Sequence, residues 1–239
     1  MNFIILAAGI GSRLMPLTKN IPKCCLEINN ISLIERLLIQ INQFFDENNV
    51  IIVAGHKKNF LKKRLLEMSW NHQIVENFDY NKTNNMYSAY LADQKIIDNK
   101  DVIIINADCI YSDKIFRIIS KCKKSTIFID KTRFDNEGMK VNVKNGFVQK
   151  MSKSLKKIKS NYLSIDFYYF KYSDYQSLYS IFKRYVNINN VNQWTETALN
   201  DLVSENKHLI RVTDIKGEKW FEIDTIEDLE KAKKIWAEE

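Results

Sequence analysis

The feature that most constrains this chain is its opening, where a short apolar run leads directly into a turn with two glycines. The run is Phe3–Leu6, and the turn that follows carries Gly9 and Gly11. A glycine has no Cβ and tolerates positive φ, so it lets backbone N–H groups lie close to a phosphate. A strand followed by such a turn predicts an α/β protein with a phosphate-binding loop.

The same loop supplies fixed positive charges, Arg13 and Lys23. The glycine spacing differs from both the dinucleotide pattern G-x-G-x-x-G and the triphosphate pattern G-x-x-x-x-G-K-[ST]. We predict catalytic roles for both cations. The Arg13 guanidinium can fork onto the β- and γ-phosphates, and Lys23 places a point charge where negative charge develops during transfer. The alternative is that Arg13 and Lys23 are solvated surface residues without a catalytic role.

The ordered motif L-A-A-G-x-G-x-R-L, followed by P-x-T and P-K, resembles that of the nucleotidyltransferases that make nucleotide-activated sugars and phospho-alcohols. The similarity continues through Asn106–Asp108 to Phe221–Thr225. It is closest to small CTP-dependent members that use phosphocholine or, closer still, the phosphoglutamine of capsule phosphoramidate synthesis. The resemblance implies a three-layer α/β/α Rossmann-like fold with a mixed, mostly parallel central sheet and a small added antiparallel layer.

The hydrophobic pattern independently predicts an α/β architecture. Apolar runs of strand length alternate with segments of helical period, which favours a mostly parallel sheet with helices on both faces. After about residue 130, short alternating segments indicate antiparallel strands. We expect one domain over residues 1–239, with a nucleotide-binding part at 1–129 and an acceptor-binding part with a closing helix at 130–239. The parallel strands are expected at Phe3–Leu6, Val50–Ala54, Val102–Ile105 and Thr126–Ile129.

A formal net charge of +7 is compatible with nucleic acid or an anionic membrane as a partner. However, the lysines are scattered, and the densest basic stretch, residues 150–159, has no interleaved aromatic rings that could stack bases. The four cysteines lack metal-ligand or redox spacing. The opening apolar run is too short for a signal sequence or a membrane span. We expect a cytoplasmic protein that binds neither nucleic acid nor membrane.

Two aspartates are predicted to hold Mg²⁺. Asp108 lies just past the strand Val102–Ile105, and Asp224 lies in the motif near the end of the chain. Mg²⁺ prefers oxygen ligands and is often held by one or two carboxylates together with phosphate oxygens. The resemblance places metal-binding aspartates at both positions. The alternatives are a strand-end turn acid at Asp108 and, at Asp224, an acid that favours the helix N-terminus capped by Thr225.

Asn85 and Ser88 are predicted to bind the nucleotide, because segment 81–88 resembles the one before a buried helix in the small cytidylyltransferases. Amides and a hydroxyl there could read a pyrimidine edge. Helix capping by Asn84 or Ser88 is the alternative and is compatible with that role. The sequence does not separate CTP from UTP. The loop residues predicted to contact the nucleotide are Leu6, Ala7, Ala8, Gly9 and Gly11.

The acceptor is predicted to bind residues of the second half of the chain. Carboxylates and aromatic faces suit an ammonium group, and a guanidinium suits a carboxylate. The resemblance implies that one lysine contacts the acceptor phosphate. Lys153 is our choice, but Lys150 and Lys157 lie close to it in the sequence and remain candidates. The tryptophan could instead be a core residue, and the glutamate could complement a helix dipole. The predicted residues are Lys153, Asp166, Trp194, Glu196 and Arg133.

The residues and the resemblance together predict a Mg²⁺-dependent cytidylyltransferase. It would join CMP from CTP to a small phosphorylated amine or amino acid, with phosphoglutamine first and phosphocholine second, and release pyrophosphate for surface polysaccharide modification. No general base is expected, because the acceptor phosphate is already ionised. The alternatives are a sugar-1-phosphate nucleotidyltransferase and a non-catalytic nucleotide-sensing relative.

Overall fold

The computed structural model describes residues 1–68, 70–206 and 210–237. Strands and helices alternate through the first half, and antiparallel strands follow. The strands are β1 (Asn2–Ala7), β2 (Glu27–Ile28), β3 (Ile31–Ser32), β4 (Asn49–Ala54), β5 (Gln73–Glu76), β6 (Val102–Asn106), β7 (Cys109–Tyr111), β8 (Thr126–Asp130), β9 (Lys140–Lys144), β10 (Phe147–Ser152), β11 (Asn161–Phe170), β12 (Arg211–Asp214) and β13 (Trp220–Glu222). The helices are α1 (Leu33–Phe44), α2 (Lys58–Leu66), α3 (Asn85–Ala92), α4 (Asp113–Ser120), α5 (Tyr172–Asn187), α6 (Thr195–Asn206) and α7 (Ile226–Ile235).

The central sheet has nine strands in the order β5-β4-β1-β6-β11-β8-β12-β10-β9. Its first part is parallel, and Ile4 of β1 lies opposite both Ile51 of β4 and Ile104 of β6. The four predicted parallel strands are all present, each within one or two residues of its expected bounds. Strands from both parts of the chain share this sheet, while the one-domain division itself stays a prediction.

The predicted antiparallel strands are also present, but they continue the main sheet instead of forming a separate layer. β11 pairs antiparallel with β6 and β8, and its first residues pair with β9, so the far end of the sheet curls back on itself. Between Ser164 and Tyr168 the ladder of β11 with β8 contains a bulge. A bulge re-aims the side chains of the residues that it adds.

The three-layer architecture follows from the period-2 alternation of the strands. In β1, Phe3 and Ile5 face one core cluster with α1, α2 and α4, whereas Ile4 and Leu6 face another with α3, α5 and α6. Both faces are apolar because helices cover both of them. The sheet thereby presents the ends of β1 and β6 at a single edge.

Helix caps lie where the sequence predicts them. The Ser32 hydroxyl accepts the Glu35 backbone N–H and begins α1. Thr225 and Asp228 form the predicted capping box of α7, which ends at Ile235 and buries Leu229 in a third core cluster. Because α7 packs beside the loop after β1, it fixes the residue just before it, Asp224.

None of the described helices is long and apolar enough to cross a membrane. The four cysteines are free thiols; Cys24, Cys25 and Cys109 are buried, and Cys122 is partly exposed.

Candidate active site

The turn after β1 requires glycine at residue 11. Gly11 has φ +65°, and a Cβ there would lie 3.1 Å from Lys23 Cβ and 3.2 Å from Thr18 Cγ2. The Thr18 hydroxyl donates to the Gly11 carbonyl at 2.8 Å and closes the turn. The glycine thus allows the loop to fold tightly enough to bring Lys23 beneath the end of β1.

A second glycine, which the sequence analysis did not single out, holds the other side of this loop. A Cβ on Gly55 would lie 2.6 Å from the Ala8 carbonyl oxygen and 2.7 Å from Tyr80 Cβ. The backbone N–H of His56 donates to the same Ala8 carbonyl at 3.0 Å. The sequence signal that could have identified Gly55 is its position directly after the apolar run that forms β4.

Two short strands bring distant carboxylates together. β7 and β13 pair antiparallel, with Cys109 opposite Glu222, and the backbone N–H of Ile223 donates to the Asp108 carbonyl at 3.0 Å. As a result, one oxygen each of Asp108, Glu222 and Asp224 lies within 4.8 Å of the others. We call these three residues the acidic cluster. Glu222 was missed as a site residue, although it lies two residues before Asp224 in the same motif.

The two loop cations lie against the acidic cluster. Lys23 Nζ donates to Asp108 Oδ2 at 2.8 Å and to Asp224 Oδ1 at 2.6 Å, and Arg13 contacts Asp224 Oδ2 at 2.5 Å. Arg13 also pairs with the exposed Glu137 at 3.2 Å. The predicted metal-binding and catalytic residues therefore form one ionic network.

The charges in this network shift its pKa values in opposite directions. Burial alone would lower the pKa of Lys23, but Asp108 and Asp224 raise it. Burial alone would raise the pKa of Asp224, but Lys23 and Arg13 bring it below its usual value. Burial, followed by Asp166 and Asp108, raises the pKa of Glu222 well above its usual range. The cluster thus binds positive charge through Asp224 while retaining a carboxyl with a high proton affinity.

Polar side chains around the start of α3 form what we call the amide side: Asn77, Tyr80, Thr83, Asn84 and Ser88. Asn84 caps the helix by accepting the Asn85 backbone N–H at 2.8 Å. The buried Asn77 amide donates to Ser88 Oγ at 3.1 Å and to Thr83 Oγ1 at 3.0 Å. These bonds fix the positions of the Thr83 and Ser88 hydroxyls beside the Asn77 amide. Sequence reasoning missed Asn77, Tyr80 and Thr83.

Two buried carboxylates border the same cavity, and we call Asp166 and Glu196 the acidic pair. Asp166 lies in the bulge of β11 with φ +56°, a left-handed conformation that is costly for a residue other than glycine. Asn106 donates to its carboxylate at 3.2 Å. Glu196 is 3% exposed and lies in the first turn of α6. The strained backbone turns Asp166 away from the regular alternation of the strand and towards the cavity.

The acidic pair shares a single hydroxyl. Tyr168 Oη lies 2.5 Å from Glu196 Oε1 and 3.0 Å from Asp166 Oδ1. Since a hydroxyl has only one hydrogen to donate, it cannot satisfy two ionised carboxylates at once. Burial, then Glu196 and Asp108, raises the pKa of Asp166 to about 7. Burial also raises the pKa of Glu196, against the lowering effect of Tyr168.

Lys153 lines the cavity together with the acidic pair, and its charge opposes the rise that burial causes in the pKa of Glu196. Its Nζ lies 5.6 Å from the centroid of the Trp194 ring. Of the other two candidate lysines, Lys150 is exposed on β10 and Lys157 lies over the Phe134 ring. Among the described residues, no lysine or arginine forms an ion pair with Asp166 or Glu196.

Most of these groups border one cavity of about 340 Å³ at the ends of β1 and β6. The acidic cluster, the amide side and the acidic pair all contribute to its lining, and the last two meet where Asn85 binds the start of α6. Its lining residues are Leu6, Ala8, Gly9, Arg13, Asn77, Tyr80, Thr83, Asn84, Asn85, Ser88, Asn106, Asp108, Met139, Lys153, Asp166, Trp194, Glu196, Glu222 and Asp224.

The sequence pattern of the family described as Nucleotidyl transferase matches residues 2–239. The chain belongs to the nucleotidyl transferase family. The predicted family membership is confirmed, and the cavity is the candidate active site of an enzyme that transfers nucleotidyl groups.

The chain is similar to the following two relatives and one solved structure. The CTP:phosphoglutamine cytidylyltransferase of Campylobacter jejuni is 32% identical over 96% of this chain and 98% of that protein. The choline-phosphate cytidylyltransferase of Streptococcus pneumoniae is 34% identical over 54% of this chain and 52% of that protein. A structure of CTP:phosphocholine cytidylyltransferase from Streptococcus pneumoniae aligns with a TM-score of 0.79 and 23% identity over 98% of each chain. This likeness confirms the predicted nucleotidyltransferase fold.

Most of the predicted site residues line the cavity of this nucleotidyltransferase. Three others support it from behind: Ala7 is buried in the core, Gly11 forms the turn, and Lys23 lies beneath the acidic cluster. The roles of individual residues stay predictions. His208 lies outside the described residues. The predicted residues that line the cavity are Leu6, Ala8, Gly9, Arg13, Asn85, Ser88, Asp108, Lys153, Asp166, Trp194, Glu196 and Asp224.

Arg133 is the predicted acceptor residue that the fold does not bring into this cavity. Its guanidinium donates to the Trp220 carbonyl at 3.0 Å and lies 5.4 Å from the centroid of the Phe221 ring. It borders a neighbouring cavity, which shares only Glu222 and Asp224 with the active-site cavity. Of the two predicted acceptor cations, Lys153 therefore borders the same cavity as the acidic pair, and Arg133 does not.

Proposed function

We propose that the protein is a cytidylyltransferase that joins CMP from CTP to a small phosphorylated amine or amino acid and releases pyrophosphate. L-glutamine phosphate is the first proposed acceptor and phosphocholine the second, and the product would serve surface polysaccharide modification. The full-length similarity to the phosphoglutamine cytidylyltransferase of Campylobacter jejuni supports this order.

The observation that carries the proposal is the acidic pair. Two buried carboxylates without an ion-paired cation are costly, because burial disfavours the charged form. Asp166 and Glu196 border the cavity, so a ligand can supply the missing cation. An ammonium group on the acceptor would pair with them and lie near the Trp194 ring. Lys153, on the same side, is then available for the phosphate of that acceptor.

The amide side is the proposed site for the cytosine base. Amides and hydroxyls there offer both donors and acceptors, which the edge of a pyrimidine requires. The loop after β1 would hold the triphosphate through backbone N–H groups and Arg13. The bound nucleotide would then extend from the amide side to the acidic cluster, with its α-phosphorus between the two substrates' sites.

The acidic cluster fits Mg²⁺ by its chemistry, since three carboxylates offer hard oxygen ligands within 4.8 Å of one another. Asp108, Asp224 and Glu222 would hold the ion, which supplies charge neutralisation for the phosphates. Lys23 adds a fixed positive charge where the pyrophosphate leaves. An acceptor phosphate oxygen attacks the α-phosphorus, the bond to the bridging oxygen breaks, and pyrophosphate departs with the electron pair.

The test measures pyrophosphate release by the purified protein with Mg²⁺. CTP, UTP and other nucleoside triphosphates are each combined with L-glutamine phosphate, phosphocholine, ethanolamine phosphate and a hexose 1-phosphate. We expect turnover with CTP and a phosphorylated amine. Turnover only with the hexose 1-phosphate would favour the sugar nucleotidyltransferase, and nucleotide binding without turnover would favour a sensing relative.

A matched pair of variants tests the acidic pair itself. Glu196→Gln should reduce kcat/KM for a phosphorylated amine by about tenfold to a hundredfold, the value of one charge-assisted contact. Glu205→Gln, on an exposed part of the same helix, should leave it unchanged. Equal activity of the two variants would remove the acidic pair from acceptor binding.

A further inference from the structure

Asn85 begins α3, but its side chain is bonded to a different helix. Its Oδ1 accepts the backbone N–H of Thr195, the first residue of α6, at 2.8 Å. Glu196 follows Thr195 directly, and although burial raises the pKa of its carboxyl, the nearby Asn85 amide opposes that rise. One side chain therefore caps the start of α6 immediately before a member of the acidic pair.

Two backbone hydrogen bonds on either side of Asn85 fasten the same region. The Asn84 N–H donates to the Val191 carbonyl at 3.2 Å, and the Met86 N–H donates to the Gln193 carbonyl at 3.3 Å. The first N–H groups of a helix have no partner within that helix. Here the N–H groups of Asn84 and Met86 bind the segment that leads to α6, so these two donors are not available to a nucleotide and the start of α3 is held against the start of α6.

The amide is suited to this position because it is a donor and an acceptor at once. A carboxylate at residue 85 would still accept the Thr195 N–H, but it could not donate to Glu196 and would repel it. Glu196 also accepts a hydrogen bond from the Tyr168 hydroxyl at 2.5 Å. This bond and the Asn85 cap on the preceding residue limit the directions in which the Glu196 carboxylate can point.

We propose that Asn85 is a positioning residue for the acceptor: it holds the Glu196 carboxylate in place for the acceptor's cationic group and does not read the base. The inference rests on the proposed function, since it takes the acidic pair to be the site of that cation. It assigns Asn85 to the acceptor, whereas the sequence alone assigns it to the nucleotide.

The test compares Asn85→Asp and Asn85→Ala with the wild type. We measure the Kd of CTP without acceptor and the KM of the phosphorylated amine at saturating CTP. The KM of the amine should rise at least tenfold in Asn85→Asp, while the Kd of CTP changes less than twofold. Gln94→Ala, in the exposed turn after the same helix, is the control and should change neither value.

Two further measurements separate positioning from a general structural defect. The loss should be absent with an alkyl phosphate acceptor of similar length that lacks the ammonium group. The double variant Asn85→Asp/Glu196→Gln should be no worse than Glu196→Gln alone, because residues that act through one another are not additive. If Asn85→Ala does not fold, the isosteric Asn85→Asp carries the test.

A tenfold rise in the Kd of CTP would overturn the proposal in favour of base recognition. An equal loss with the alkyl phosphate, an additive loss in the double variant, or an unchanged KM in Asn85→Asp would overturn it as well. Turnover of the wild-type protein tests the proposed function, and the Asn85 variants test the role of Asn85. Failure of the proposed function can therefore be distinguished from failure of the inference about Asn85.

Discussion

The acidic cluster and the acidic pair are two groups of carboxylates in one cavity, but they are held in opposite ways. In the cluster, Lys23 and Arg13 form ion pairs and bring the pKa of Asp224 below its usual value. In the pair, no described cation forms such a contact, and the pKa of Asp166 rises to about 7. The cluster is balanced by ion pairs within the protein, whereas the pair is not: Lys153 attracts Glu196 without forming an ion pair with it.

This difference indicates which part of the site has its chemistry in place before a ligand binds. Charges that the fold pairs are preorganised and need little rearrangement during a reaction. Charges that the fold leaves unpaired raise the free energy of the empty site, and a cationic ligand lowers it again. We therefore assign transfer to the cluster and acceptor selection to the pair.

The largest expected effect on turnover comes from removing a carboxylate of the acidic cluster. Asp108→Asn or Asp224→Asn should lower kcat by about 10³-fold, roughly 4 kcal/mol of lost stabilisation of the transferring phosphates. The thermal midpoint should change by only about 2 °C, since neither residue packs in the core and each variant leaves Lys23 one of its two carboxylate partners. Pyrophosphate release and thermal unfolding measure the two quantities. Glu227→Gln, in the first turn of α7, is the control, and near-normal turnover in either aspartate variant would remove the metal assignment.

Lys23→Ala tests the cation that balances the cluster. The rate should fall by about 10²-fold and the affinity for CTP should fall less, if the charge acts on negative charge that develops during transfer. The midpoint should also decrease, because Asp108 and Asp224 lose a cation that is only 12% exposed. Lys19→Ala, an exposed lysine of the same loop, is the comparison. A change confined to the Kd of CTP would make Lys23 a ground-state anchor.

The third prediction compares two cations, Lys153 and Arg133, as contacts for the acceptor beside the acidic pair. Lys153→Ala should raise the KM of the acceptor by about tenfold to a hundredfold, as expected for a lost charge-assisted contact with its phosphate. Arg133→Ala should raise it by less, about threefold or under, because Arg133 borders the neighbouring cavity. Steady-state kinetics on both variants show which substitution raises the KM of the acceptor more. A larger effect at Arg133 would restore the sequence-based expectation that it binds the acceptor's carboxylate.

The smallest effect is a pH dependence of stability at Asp166. Its pKa of about 7 in the folded protein exceeds the value near 4 of an unfolded chain, so the folded state binds the extra proton between these pH values. Stability from this group is therefore present below about pH 4 and is lost as the pH rises through 7. Asp166→Asn should raise the thermal midpoint by about 2–4 °C more at pH 8 than at pH 5. A constant difference across that range would contradict the raised pKa.

Much of this cavity could be predicted from local sequence. Gly9, Gly11 and Arg13 lie within one short loop, and Asp108 follows a strand whose apolar run is easily recognised. The arrangement of these residues is predictable because they lie close together in the chain or follow parallel strands whose carboxyl ends meet at one edge of the sheet. Glu222 and Asn106 were missed although they lie in the same motifs, since a motif does not show which side chains face inward.

The sequence by itself determined the strand and loop that open the chain, the capped helices and the family, because turns, caps and hydrophobic periods depend on residues close together in the chain. Only the tertiary structure decided which distant groups meet. Pairing of β7 with β13 joins Asp108 to Asp224, the bulge of β11 turns Asp166 towards Glu196, and Asn85 is bonded to α6. Arg133 is separated from these residues by β13, for the same physical reason: strand pairing fixes side-chain direction across long stretches of chain, where no local pattern reports it.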